Sequence, residues 1–277
     1  MKRWTIVLAV VTAIGLLVLY AGYRNATRDP ILREAYVEIA AWPQDEPPMR
    51  ILVLSDVHIA GPDMPPERVR RLARSLNQAS PDVVLIAGDL ISEKRTATRW
   101  YSEEEVAAPF AEFQSRYGTI VAPGNHDHWV SLDRLIESLN QHGITVLRNE
   151  AVRVGPLKVG GVDDEYTGHD DISATLTALD RLGEGPELVL SHTPDVVPAL
   201  PRKVSAVFAG HTHCGQIALP LIGAVSYLSK YGDRFACGRI DDEGQTVFVG
   251  AGLGTSILPL RYGAPPDVWI VTFGPPR

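Results

Sequence analysis

Five short apolar runs in this chain each stop at side chains able to hold a cation, and this recurrence narrows the possible folds more than any bulk property. Residues 50–54 lead into Ser55-Asp56-Val57-His58, and residues 82–86 into Gly88-Asp89. Residues 119–122 lead into Pro123-Gly124-Asn125-His126-Asp127, residues 188–190 into Ser191-His192, and residues 206–209 into Gly210-His211-Thr212-His213. Short, nearly unbroken apolar runs are the pattern of strands buried on both faces. Between them lie amphipathic stretches. Val69, Leu72, Ala73 and Leu76 share one face of a helix expected over 66–78, and further helices are expected over 103–116, 132–141 and 172–182. Other strands are expected at 144–147, 152–154, 157–159, 235–240, 246–249 and 268–273. Alternating strands and helices followed by a strand-rich half predict an α/β layered domain, with two central sheets or one large mixed sheet.

In open α/β sheets the loops beyond the carboxyl ends of the strands converge on one crevice. Residues far apart in sequence therefore meet there. Five of the eight histidines, His58, His126, His192, His211 and His213, stand at these strand ends. Taken singly, an Asp after a strand reads as a turn or cap, and a lone His as a hydrogen-bonded side chain. Taken together, only a shared site explains why every one of these strands ends this way. Carboxylate and amide oxygens mixed with neutral imidazoles suit Mn, Fe or Zn, whereas Mg and Ca more often take oxygen alone.

These motifs, spanning residues 50–215 in order, resemble the signature of the calcineurin-like metallophosphoesterases. The tail Gly252-Leu253-Gly254-Thr255-Ser256 with Pro259-Leu260-Arg261 resembles the membrane-associated bacterial YkuE-like subgroup, which commonly has Gly where Cys214 stands here. The resemblance implies a four-layer αββα sandwich and two divalent metal ions (Mn, Fe or Zn) bridged by Asp89. It assigns Asp56, His58 and His213 to the first metal, and Asn125, His192 and His211 to the second. His126 is then the general acid for the departing alkoxide or a clamp on its charge. Asp127 is expected to orient His126 by accepting its other N–H. Arg261 is read either as a contact to phosphate or headgroup, or as a structural arginine.

The amino terminus adds a location. Residues 4–23 carry no charge, follow Lys2 and Arg3, and are flanked by Trp4, Tyr20 and Tyr23. As a helix they span about 30 Å, the thickness of the hydrocarbon layer. Residues 1–24 are therefore read as a single-pass transmembrane anchor. A cleaved signal peptide is the alternative, but the run is longer than a usual signal core and lacks a clean cleavage site. Arg24, Arg28 and Arg33 weaken the charge bias, and the catalytic domain is placed outside the cytoplasm. Residues 25–49 read as a linker with an edge strand near 35–39, and residues 50–277 as the phosphoesterase domain. A net charge of −7 argues against nucleic acid as a stable partner. Cys214 and Cys237 form one bridge or remain two buried thiols.

Four weaker features remain. Residues 163–165 read as a solvated acidic turn, and His128 and His169 as histidines near the mouth of the site. The apolar segment 219–225 is core or an entry for a lipid chain. The expected function is metal-dependent hydrolysis of a phosphodiester or pyrophosphate, lipid-linked in one version. A phosphomonoesterase or nucleotide phosphohydrolase retained at the membrane is the alternative. A non-catalytic scaffold would lack a ligand or His126, and neither is missing.

Overall fold

In the computed structural model, which describes residues 2–219, 221–242 and 244–277, strand direction and side-chain alternation build two facing sheets. The first half contains α1 (Lys2–Ala26), β1 (Ile31–Glu38), β2 (Met49–Ser55), α2 (Pro66–Leu76), β3 (Val83–Ala87), α3 (Glu103–Ala107), β4 (Thr119–Ala122), α4 (Asn125–Val130), α5 (Leu132–Gln141) and β5 (Thr145–Val146). It continues with β6 (Glu150–Val154), β7 (Leu157–Gly161), α6 (Ile172–Arg181), β8 (Glu187–Leu190) and β9 (Val204–Ala209). The rest comprises β10 (Ala218–Leu219), β11 (Gly223–Ala224), β12 (Gly238–Asp242), β13 (Gln245–Val249) and β14 (Asp267–Gly274). One sheet has the order β1-β14-β2-β3-β4-β5 and the other β12-β13-β9-β8-β7-β6. β2 to β5 run parallel, as do β7, β8, β9 and β13, so both sheets send carboxyl ends toward the same loops.

Alternation decides which layer each side chain joins. Ile51 and Val53 of β2, Val83 and Leu85 of β3, and Val271 and Phe273 of β14 meet Val159, Leu188, Leu190, Phe208 and Phe248 from the opposite sheet. Their neighbours Leu52, Leu54, Val84, Ile86 and Ile270 face outward and pack with Val69, Leu72, Val106, Leu135 and Leu139 on helices α2, α3 and α5. On the far side Val189, Val207 and Val247 pack under Leu179 of α6 and the turn carrying Val196 and Val197. The result is the expected four-layer αββα sandwich, with the N-terminal helix standing outside it.

Three local expectations shift. The helix expected over 103–116 ends at Ala107 and tightens into a 3-10 turn, Ala108–Glu112. Pro109 there has no N–H for the α-helical ladder. The strand expected from 235 begins at Gly238, after Phe235 has packed into the outer core. The edge strand is longer than 35–39: β1 pairs with β14 over eight residues. Cys214 and Cys237, left open by the sequence, are joined as a disulfide. Phe208 lies between Phe248 and Phe273 at ring distances of 5.4 and 6.1 Å. Phe208→Ala should therefore cost about 3–5 kcal/mol of stability, read as a lowered midpoint in denaturant unfolding of the detergent-solubilised chain.

Candidate dinuclear metal centre

The loops that receive these strands hold backbone conformations that most residues avoid. Asp56, His58, Asp89, His211 and His213 all have positive φ, between 47° and 66°. Such residues cost about 1–3 kcal/mol each unless their surroundings over-determine them. Here they do: Asp56 N–H donates to Gly88 O, His58 N–H to Asp89 O and Gly254 N–H to Asp56 O, at 2.8–3.1 Å. Two glycines supply the room. A Cβ on Gly124 would lie 2.3 Å from Asp89 Oδ1, and one on Gly210 would lie 2.3 Å from Asp56 Oδ2.

The side chains so aimed form two overlapping groups. In the first, His58 Nε2 and His213 Nε2 are 3.1 Å apart, with Asp56 Oδ1 3.5 Å from His213 Nε2 and Asp89 Oδ2 3.4 Å from His58 Nε2. In the second, His192 Nε2 lies 3.0 Å from Asn125 Oδ1, 3.1 Å from His211 Nδ1 and 3.2 Å from Asp89 Oδ2. Asp89 Oδ2 belongs to both. Ligands about 2.0–2.2 Å from one ion at tetrahedral or octahedral angles stand about 2.8–3.6 Å from each other, so the donor spacing fits a cation in each group. His192 Nδ1–H donates to Ala87 O at 2.9 Å, which turns Nε2 toward the centre.

Electrostatics suit three of the imidazole donors. Burial pushes the His58 and His213 imidazoles well below their usual range and His211 to about 3, which keeps these rings neutral. Burial raises the Asp56 carboxyl to about 6. For Asp89 the burial effect is outweighed chiefly by His192 and His126 facing it, and its pKa falls well below that of an ordinary carboxylate. His192 is its counterpart: burial alone would lower it, but Asp89 raises it well above the imidazole norm.

Around this centre the structure rearranges several expected roles. His126 N–H donates to Asp89 Oδ1 at 2.9 Å, and its Nε2 lies 4.0 Å from Asp89 Oδ2. Its Nδ1, however, meets Glu93 Oε2 at 2.7 Å rather than Asp127. The Asp127 carboxylate instead accepts four backbone N–H groups, from Asp89, Leu90, Ile91 and Gly124, at 2.8–3.2 Å. It therefore positions the loop that carries Asp89. Glu93 escaped sequence reasoning because it follows Asp89 on an irregular loop, where no periodicity marks it. Asp163 is no solvated turn residue: it is buried and pairs with His128 Nε2 at 2.7 Å and Arg148 Nε at 2.8 Å. His128 stacks on His169 at 4.0 Å, beside Trp129 and Tyr166. Tyr166 lies 4.8 Å from the His211 ring and Trp129 4.8 Å from that of His126.

Of the two readings of Arg261, its surroundings match the structural one. Arg261 is fully buried, and its guanidinium donates to the carbonyls of Ala251, Gly252, Gly254 and Ala264. Burial lowers its pKa to about 10. With no solvent face, it braces the 251–254 loop and lies 3.3 Å from His213 Nδ1.

Comparison with known proteins gives this arrangement its class. A family model described as calcineurin-like phosphoesterase matches residues 49–215, and the chain belongs to that family. A transmembrane protein with metallophosphoesterase domain from Danio rerio is 29% identical over 96% of this chain and 62% of its own length. An uncharacterized metallophosphoesterase from Helicobacter pylori is 29% identical over 79% of this chain and 58% of its own. The uncharacterized metallophosphoesterase YkuE of Bacillus subtilis is 28% identical, covering 80% of this chain and 78% of its own. The chain thus spans about three fifths of the length of the first two of these relatives. A crystal structure of a dimetal phosphatase from Danio rerio covers 75% of this chain and 88% of its own, at a TM-score of 0.47 and 15% identity.

Arg261→Met should lower the unfolding midpoint by the equivalent of about 3 kcal/mol or more, because it strands several buried carbonyls. A substrate-binding arginine would instead raise KM and leave the midpoint where it was.

Proposed function

We propose that the chain is a membrane-retained hydrolase that cleaves a phosphodiester or pyrophosphate with two divalent cations, Mn, Fe or Zn. The observation that carries this reading is Asp89 Oδ2, shared between two donor groups whose spacing suits one ion each. The residues assigned are Asp56, His58, Asp89 and His213 on one side, and Asp89, Asn125, His192 and His211 on the other. When bound, such a pair supplies Lewis acidity toward phosphoryl oxygens and an acidified water at neutral pH. The protein's own groups do the rest. Asp89 offsets the repulsion between like charges, and its second oxygen fixes the His126 backbone. Glu93 holds Nδ1 of His126, so that its Nε2 faces the centre and can donate a proton to the leaving oxygen.

The anchor fits this reading. α1 carries an apolar window from Arg3–Ala26, and most of it is exposed. Its last turns are hydrogen-bonded to the catalytic domain, which favours a retained helix over a cleaved one. The disulfide supports placing the domain outside the cytoplasm, where thiols are oxidised. Anchoring concentrates the site near a two-dimensional pool of substrate, which favours a lipid-linked phosphoester. A second reading, a nucleotide phosphohydrolase, draws on Trp129 and Tyr166, whose half-exposed rings beside His126 and His211 could stack on a base.

Asp89→Asn should reduce bound metal, measured by elemental analysis of the purified full chain, and lower diester hydrolysis about 100-fold or more. His126→Gln should keep its metal while kcat falls about 10²–10⁴-fold. Loss of metal in the second variant would make His126 a ligand, and full activity in the first would remove the two-cation reading.

A further inference from the structure

The centre opens on one side toward an apolar surface that the reaction leaves unexplained. Residues 214–229 and 252–260 contain no charged side chain. The first stretch carries the β10–β11 hairpin and the second a loop beside it, and Ile222, Val225 and Ile257 are 70–77% exposed. Leu219, Leu221, Leu228 and Leu258 are exposed as well. Soluble surfaces seldom carry so many contiguous exposed apolar side chains.

Hydrogen bonds fix where this surface stands relative to α1. Tyr262 N–H donates to Gln216 O, and Ala218 N–H to Tyr262 O, which ties the hairpin stem to Tyr262. Gln216 reaches the carbonyls of Leu258 and Leu260 and accepts the Ser256 N–H, which ties in the second loop. Tyr262 in turn donates from its hydroxyl to Val18 O of α1 at 2.6 Å, and Arg261 N–H donates to Gly22 O. A Cβ on Gly22 would lie 2.4 Å from the Tyr262 ring, so this contact is close. Val18 is five residues inside the end of the uncharged stretch, about 7–8 Å along a helix. With α1 as the membrane span, the loops bound to Tyr262 sit at the depth where α1 leaves the bilayer.

Between hairpin and loop runs a slot of about 260 Å³. Its lining combines Thr212 and the expected ligand His213 with the apolar side chains of Val225, Leu228, Ile257 and Leu258. We propose that the β10–β11 hairpin and the 256–260 loop seat in the outer layer of the bilayer crossed by α1, and that the slot takes the hydrocarbon chain of a lipid phosphoester while its phosphate reaches the metal centre. This deepens the hydrolase reading and rests on it, and on α1 as the membrane span. The occupant is lipid because α1 itself brings the bilayer to this surface. The two uncharged stretches offer a charged partner nothing to pair with.

Two measurements on the full chain in vesicles of phosphatidylcholine and phosphatidylglycerol test it. Leu221→Cys labelled with an environment-sensitive fluorophore should shift to the blue on reconstitution and be quenched by shallow nitroxide lipids. An emission like that in water overturns the seating. The second compares p-nitrophenyl methyl phosphate with p-nitrophenyl hexyl phosphate, which share a leaving group and differ by the chain. Burial of about two methylenes lowers KM for the hexyl ester about tenfold. Val225→Gln combined with Ile257→Gln should bring the two KM values together. Equal KM values in the unmodified chain overturn the slot. If neither ester is cleaved, the phosphodiesterase reading fails, and with it the slot as a diester site, while the fluorophore still decides the seating.

Discussion

A single buried carboxylate organises this molecule. Asp89 is almost without solvent, its Oδ2 faces imidazole nitrogens of His58, His192 and His126, and its Oδ1 accepts a backbone N–H. A charge placed so deep is tolerable only with opposite charge around it. Divalent cations meet that need, and the surrounding backbone is shaped to present donors to them. The positive-φ residues, the glycines without room for a Cβ and the four N–H groups gathered by Asp127 all keep that carboxylate where two donor groups overlap.

Much of this was legible because burial and chemistry leave separate marks in a sequence. A strand sealed on both faces must be apolar throughout, as in Val83–Ala87, so a polar residue at its end stands out. Alternation such as Leu52 and Leu54 against Ile51 and Val53 sorted the layers only once the second sheet was in view, since both faces are equally apolar. The two-sheet division could therefore not be separated from one large mixed sheet by pattern alone.

What stayed hidden depended on long-range geometry. The cap that Asp127 makes with Gly124 is local, but its bonds to a backbone loop 36 to 38 residues away depend on how the fold brings β3 beside α4. Glu93 and Arg261 illustrate the same limit from opposite sides. An unremarkable glutamate became the partner of His126, and an arginine that suited a phosphate turned inward to satisfy carbonyls. The Cys214–Cys237 pairing likewise needed the fold to bring residues separated by 23 positions together.

Arg261 joins two parts of the protein that are usually treated as independent. Its main-chain N–H is held by Gly22 on α1, while its guanidinium steadies the loop beside His213. On the reading of α1 as the membrane span, the helix proposed as the tether is therefore also a brace for the loop beside His213. Tilt or displacement of that helix, by a change in membrane thickness or lateral pressure, has a direct mechanical route of a few bonds to the catalytic machinery.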